Sequence, residues 1–428
     1  MGDAGIRKYL ERHAVPEASL ASPLLGCFAE RVVVPAYAEG ADLLDTLASI
    51  APSSRGEVLI VLVQNHRVDS GSADIERTAL GTSAVSETYA IRRSLSAHVV
   101  EHAHPAGRIV RIERTGDFAL PAKQGVGLAR KVGLDFALAT ARDEAEWLHT
   151  TDADARVPRD YFAARDLDDD VVAGLYPFTH RADPSVGESI FEYEAHLRLL
   201  VLGLREAGSE FAHHSIGSTI AVRARAYAAV RGMPRRQAAE DFHFLAKVRK
   251  LGPVRTVRCE PMVLSGRRSH RVPFGTGRSM SDGTGFSVAH TYDPTCFREL
   301  GFGLAALATA TSASSFRDAL AGHELVHDAM ISERVGVTLA HAARHSPSAR
   351  AFHLRAGFDA LRTLRVIHRL RDAGLENVPL RDAVRDAPWI DVDPTLPPES
   401  LARALATAER EANADGESNR PCPRPETG

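Results

Sequence analysis

No apolar run in the 428-residue sequence approaches the roughly 20 residues that a membrane-spanning helix needs. A spanning helix is therefore not expected, and peripheral contact with a membrane is left open. Cysteine is scarce as well: Cys27, Cys259, Cys296 and Cys422 are scattered, with no C-x-x-C pair. That argues against a disulfide framework or structural zinc site and fits a reducing cytoplasm. The N-terminus lacks a charged-then-apolar signal pattern and reads as a polar helix from Asp3 to His13. Charge of one sign is also missing. The 52 basic and 55 acidic residues nearly balance, so nothing pulls the chain toward nucleic acid. Lysine occupies only five positions, and the arginine excess reads as genomic base composition sooner than as phosphate recognition.

What is present is an alternation of strand and helix patterns through the first half. Arg31–Pro35 (RVVVP) and Glu57–Val63 (EVLIVLV) are continuous apolar runs of strand length. Between them Leu43, Leu44, Leu47 and Ile50 recur at helical spacing. Arg108–Glu113, Glu146–Thr150 and Val171–Leu175 read as further strands, and a helix over about 123–139 carries Leu128, Val132 and Phe136 on one face. The polar stretch His66–Gly107 is expected to hold a helix over about 74–96. This alternation predicts an α/β fold, a mainly parallel sheet with helices on both faces. Ligands sit at the carboxyl ends of strands in such sheets, and Pro35–Glu39, Gln64–Asn65 and Thr151–Asp154 fall there. From about residue 295 the texture becomes all-helical, with helices expected over 297–373 and 400–412. The polar residues 413–428, with three prolines, read as a disordered tail.

Two acidic pairs stand out. Asp152-Ala-Asp154 leaves the strand Glu146–Thr150, where two carboxylates one residue apart can share a hard divalent cation that keeps phosphate oxygens in its shell. A solvated acidic turn would look the same. Glu240-Asp241 opens an amphipathic helix (Phe244, Leu245, Val248, Leu251) that Gly252-Pro253 ends. The helix dipole favours acids there without any function, yet a carboxylate on so rigid an element also suits a general base.

Taken in order, these motifs resemble family 2 glycosyltransferases of the GT-A fold. Val32–Glu39 (VVVPAYAE) is similar to that family's opening strand. Ile216–Arg223 (IGSTIAVR) resembles its acceptor loop, and Gly232 followed by Glu240-Asp241 resembles the approach to its x-E-D motif. The resemblance covers about residues 30–280. With the change of texture near residue 295 it gives an expected Rossmann-like domain over 1–294, and composition gives a helical region over 295–412 and the tail over 413–428. The resemblance further implies that Pro35, Ala36, Tyr37, Glu39, Gly217 and Ser218 bind the nucleotide sugar. Asp152 and Asp154 would hold a Mn or Mg ion on the diphosphate, with His270 as a further ligand. Asp241, beside Glu240, would deprotonate an unidentified acceptor and give inversion at the sugar carbon. Lys123, Arg130 and Arg271 are further diphosphate contacts, each equally readable as a surface cation. Departures exist: Ala38 stands where the family has Asn, and Gln64-Asn65 where it often has an Asp pair, so the donor base stays unnamed.

Rival readings are a nucleotide-sugar-binding module and a sugar nucleotidylyltransferase, the latter disfavoured because no Gly-rich loop follows the first strand. His323-Glu324-Leu-Val-His327 matches the zinc-protease signature H-E-x-x-H, on an expected helix. Met330 stands where the extended motif needs glycine, so chance placement is the better explanation.

Overall fold

A computed structural model describes residues 2–184, 186–267 and 289–417. Its contacts divide the chain into two units, one of residues 1–183 and 215–278, the other of 184–214 and 279–428.

The first unit is built on a nine-stranded sheet in the order β10-β7-β9-β6-β1-β2-β5-β4-β3. Its strands are β1 (Glu30–Tyr37), β2 (Val58–Asn65), β3 (Ile91–Ser96), β4 (Val99–His104), β5 (Gly107–Arg114), β6 (Trp147–Thr150), β7 (Ala173–Leu175), β9 (Ile220–Arg223) and β10 (Val254–Thr256). β4 and β9 run against the other seven, so the sheet is mainly parallel. β8 (Phe178–Arg181) and β11 (Met262–Ser265) pair separately. Both β1 and β2 are buried almost throughout, which is why they read as unbroken apolar runs.

The flanking helices are α1 (Gly2–Arg12), α2 (Leu43–Ser49), α3 (Ser72–Thr88), α4 (Val126–Ala139), α6 (Ala224–Ala229) and α7 (Glu240–Val248); α5 (Ser189–Glu206) belongs to the second unit. Leu128, Val132 and Phe136 of α4 are buried in the core as their spacing predicts. The helix lies hard on the sheet at Gly133, where an added Cβ would meet Val33 Cγ1 at 2.2 Å. A polar knot fixes its other side. Asp135 accepts from the hydroxyls of Tyr9 (2.6 Å) and Tyr227 (2.7 Å) and from the Val15 N–H (2.9 Å), and pairs with Lys131 at 2.9 Å. Each buried polar atom in the knot thus has a partner, as burial requires.

One sequence expectation is corrected. The helix predicted over 74–96 ends at Thr88, and β3 and β4 follow as an antiparallel hairpin at the sheet edge. Residues 91–94 are exposed, and Arg92 and Arg93 pair with the buried Glu101 of β4. Charge on an exposed edge strand guards it against pairing with another chain. The period-2 signal is hidden because Ile91–Ser94 is exposed on both faces and carries two adjacent arginines, with no alternation of buried apolar and exposed polar residues.

The second unit holds α5 and the helices α8 (Pro294–Thr309), α9 (Ala313–Ala319), α10 (Glu324–Ser332), α11 (Val335–Ala342), α12 (Pro347–Gly357), α13 (Ala360–Asp372), α14 (Leu380–Asp386) and α15 (Pro398–Glu417). Its only strands among the described residues are the short pair β12 (His290–Thr291) and β13 (Val378–Pro379). Arg198 of α5 bridges Glu194 (2.6 Å) and Glu409 of α15 (3.0 Å), and His214 lies 2.9 Å from the same Glu409. These partners hold the Glu409 carboxyl down at about 2 against the cost of burial. Among the described residues no helix is long and apolar enough to cross a membrane.

Candidate active site

The carboxyl ends of β1, β2 and β6 sit side by side, because β1 pairs parallel with both neighbours. Beyond β1 the chain turns at Ala38, whose φ of 50° is left-handed. A non-glycine residue tolerates that only when its surroundings hold it. Here the Ala38 N–H donates to Thr78 Oγ1 (3.2 Å), and Arg77 Nε donates to the Ala38 carbonyl (2.9 Å). The turn delivers Glu39, which is buried. Beyond β6, the N–H of Thr151 donates to the Val33 carbonyl (3.0 Å), and Asp152 and Asp154 follow.

Each carboxylate of the Asp152-Ala-Asp154 pair meets an arginine that also holds a second acid. Arg130, on α4 and nearly buried, donates to Asp152 Oδ1 at 2.5 Å and to Glu240 Oε1. Arg267 pairs with Asp154 Oδ2 at 2.9 Å and with Glu39. The first clamp ties the end of β6 to the start of α7. The second ties it to the end of β1.

Local backbone explains both. The Gly127 N–H donates to the Arg236 carbonyl (3.2 Å) and Gln237 Nε2 to the Ala122 carbonyl (2.9 Å), which lays the loop before α7 along the start of α4. Gly217 packs on the Arg130 guanidinium so closely that a Cβ would lie 2.3 Å from Nη1. For Arg267, the backbones of Arg156 and Val263 exchange both hydrogen bonds (2.8 and 2.9 Å), which sews β11 to the segment just after Asp154.

The electrostatics follow from this packing. Burial raises the Glu240 carboxyl to about 7, with Arg130 pulling it down and Asp241 pushing it up. Burial raises Asp241 too, against Arg130 and the hydrogen bonds from the Phe242 and Gly217 N–H groups. Although burial opposes its charge, Arg130 is held protonated by Asp152, Glu240 and Asp241. Because the folded Glu240 pKa lies above the ordinary 4.5, its stabilising effect is full below that value and is lost as pH rises through about 7. Glu240→Gln is expected to flatten the fall in thermal midpoint across that window; an unchanged slope would assign the titration to another group.

The sequence-derived residues separate into those this geometry gathers and those it does not. Asp152, Asp154, Glu240, Asp241, Glu39, Gly217 and Arg130 come together. Ser218 is buried beside Gly217, and Pro35 and Ala36 are buried within β1. Tyr37, partly exposed, donates from its hydroxyl to Asp74 Oδ2 (2.8 Å). Gln64 accepts from Thr82 Oγ1 (3.1 Å), and Asn65 donates to the Ala36 and Val63 carbonyls (3.0 and 3.1 Å). Both therefore serve the fold. Lys123 lies exposed in the turn before α4 and forms no ion pair among the described residues. His270 and Arg271 lie outside the described residues. Sequence reasoning missed Arg267, whose only signal is its place two residues after β11.

In the H-E-x-x-H string the expected helix starts one residue late. Gly322, with φ of 88°, breaks the chain before His323, and α10 starts at Glu324 with His323 as its cap. His323 Nδ1 lies 3.1 Å from Glu299 Oε1, and His327 Nδ1 lies 2.9 Å from Asp328 Oδ1. Each imidazole thus has a carboxylate neighbour of its own, and neither belongs to a group of three metal-binding side chains among the described residues.

No family model matches the chain, and no curated protein matches it. Among solved structures, S. aureus TarS (residues 1–349) is similar at 11% identity over 91% of this chain and 92% of that one, with a TM-score of 0.34. A likeness of that size carries nothing about what this chain binds or transforms.

Proposed function

We propose that the protein is a metal-dependent, inverting glycosyltransferase that takes a sugar from a nucleoside-diphosphate donor to an acceptor not yet identified. The observation that supports this reading most is the Arg130 bridge, which makes the strand-end acids and the helix-start acids one site. In that site Glu39, Asp152, Asp154, Glu240 and Asp241 lie around the guanidiniums of Arg130 and Arg267. The paired carboxylates Asp152 and Asp154 are hard oxygen ligands that suit a Mn or Mg ion, and among the described residues no three of these acids group closely enough to form a cage by themselves. Such ions commonly take one or two carboxylates and complete their shell from substrate phosphates. Asp152 and Asp154, which both keep solvent-exposed surface, would hold it. When bound, the ion would neutralise charge on the departing diphosphate.

The remaining steps belong to the side chains. Arg130 and Arg267 orient the strand-end carboxylates, and Arg267, the more exposed of the two, can turn a donor N–H toward a phosphate oxygen. Asp241, fixed by two backbone N–H groups, accepts the proton of the acceptor hydroxyl as it attacks the sugar carbon from the side opposite the leaving group. Glu39, Tyr37, Gly217 and Ser218 belong to the donor-binding wall. The test is release of nucleoside diphosphate when purified protein meets a panel of nucleotide sugars with Mn²⁺ or Mg²⁺. A cytoplasmic enzyme with no nucleic-acid partner is the setting that composition favours.

A further inference from the structure

The second unit carries a group of side chains that the proposed transferase chemistry does not use. His341 is on the last turn of α11, His345 is in the turn that follows, and His353 is on α12. Their ring centroids lie 5.0 Å (His341–His345), 5.0 Å (His341–His353) and 3.7 Å (His345–His353) apart. One nitrogen of each imidazole falls within 4.8 Å of those of the other two, the only such group of three metal-binding side chains among the described residues.

The backbone that presents them is well tied. Arg344 and His345 donate their N–H groups to the carbonyls of His341 (3.1 Å) and Ala342 (3.2 Å), and the Ser346 hydroxyl caps α12 by accepting from the Ala349 N–H (3.4 Å). Two ligands four residues apart at a helix end therefore face a third from the next helix.

We propose that His341, His345 and His353 form a site for a borderline transition-metal ion, zinc in the first instance, with a fourth position open to water. A tetrahedral zinc with nitrogen ligands needs nitrogens about 3.3 Å apart. The present spacing is wider than that limit only by what side-chain rotation can supply in rings that are exposed (His341, His345) or partly buried (His353), and metal binding requires that rotation. An all-imidazole set selects zinc, cobalt, nickel or copper over magnesium and calcium. The site is thus distinct in chemistry from the oxygen-rich acids of the first unit. A bound ion would tie α11 to α12 across their turn.

Cobalt(II) titrated into full-length, untagged protein tests this, with excess Mg²⁺ present to occupy the acidic site. One equivalent is expected to produce the intense visible absorption of four-coordinate cobalt, and zinc is expected to displace it. His345→Ala and His353→Ala are each expected to weaken binding at least about tenfold, with an unchanged circular dichroism spectrum. Zinc is also expected to raise the thermal midpoint of the parent protein and leave that of the triple His→Gln variant unmoved. No cobalt spectrum in the parent, or an equal one in the triple variant, would overturn the site. The activity assays of the first unit stay independent of either result.

Discussion

Asp241→Asn is expected to lower turnover by about 10²–10⁴-fold, the range for removing a positioned general base, while donor affinity stays unchanged. The asparagine keeps the shape of the side chain and still accepts from the Phe242 N–H, which the aspartate does at 2.7 Å. What it loses is the capacity to take a proton. Burial already lifts the Asp241 carboxyl toward the range in which it accepts one, while Arg130 and two N–H groups restrain that lift. The rate carried by Asp241 therefore falls as pH drops through its raised pKa, where the base is protonated. Turnover and donor binding measured together separate this from a binding defect. Undiminished turnover would remove Asp241 from the chemistry, and a parallel loss of donor affinity would make it part of the donor wall.

Arg130→Met is expected to destabilise the first unit by about 3–5 kcal/mol, the usual result of breaking a buried ion pair from one side. The guanidinium is nearly buried, it pairs with the equally buried Glu240, and Gly217 packs on its face. Without it Glu240 must carry an unpaired charge or take up a proton, and uptake recovers part of the loss. Asp152 contributes little to the penalty, because its side chain is 40% exposed and water can replace the arginine. The double variant Arg130→Met/Glu240→Gln is expected to be more stable than the sum of the two single effects, since the buried Glu240 charge is removed together with its partner. Urea midpoints for the four proteins measure this, and strict additivity would show that the bridge carries no coupling.

Much of this was legible in the sequence, and for physical reasons. β1, β2 and α4 declared themselves because buried strands and a one-faced helix leave strong apolar patterns. Asp152-Ala-Asp154 was legible because it directly follows such a strand. The β3–β4 hairpin was hidden by the arginines that protect its edge. Arg130 could be named but not distinguished from a surface cation, because its partner Glu240 is 110 residues away. Arg267 was invisible altogether: its approach to Asp154 depends on the backbone pairing of Arg156 with Val263, which no local pattern announces. In the H-E-x-x-H string the letters matched, but the chain enters the helix only at Glu324, which leaves the first histidine as its cap.

The central claim is most directly tested by nucleoside diphosphate release from a panel of UDP-, GDP- and other nucleotide sugars, with Mn²⁺, with Mg²⁺ and with chelator. The account expects slow, metal-dependent release from at least one donor without added acceptor. It expects that release to be abolished in Asp152→Asn/Asp154→Asn, whose fold is checked by circular dichroism. Release that is indifferent to chelator and to both aspartates, or no release and no binding with any donor, would contradict it.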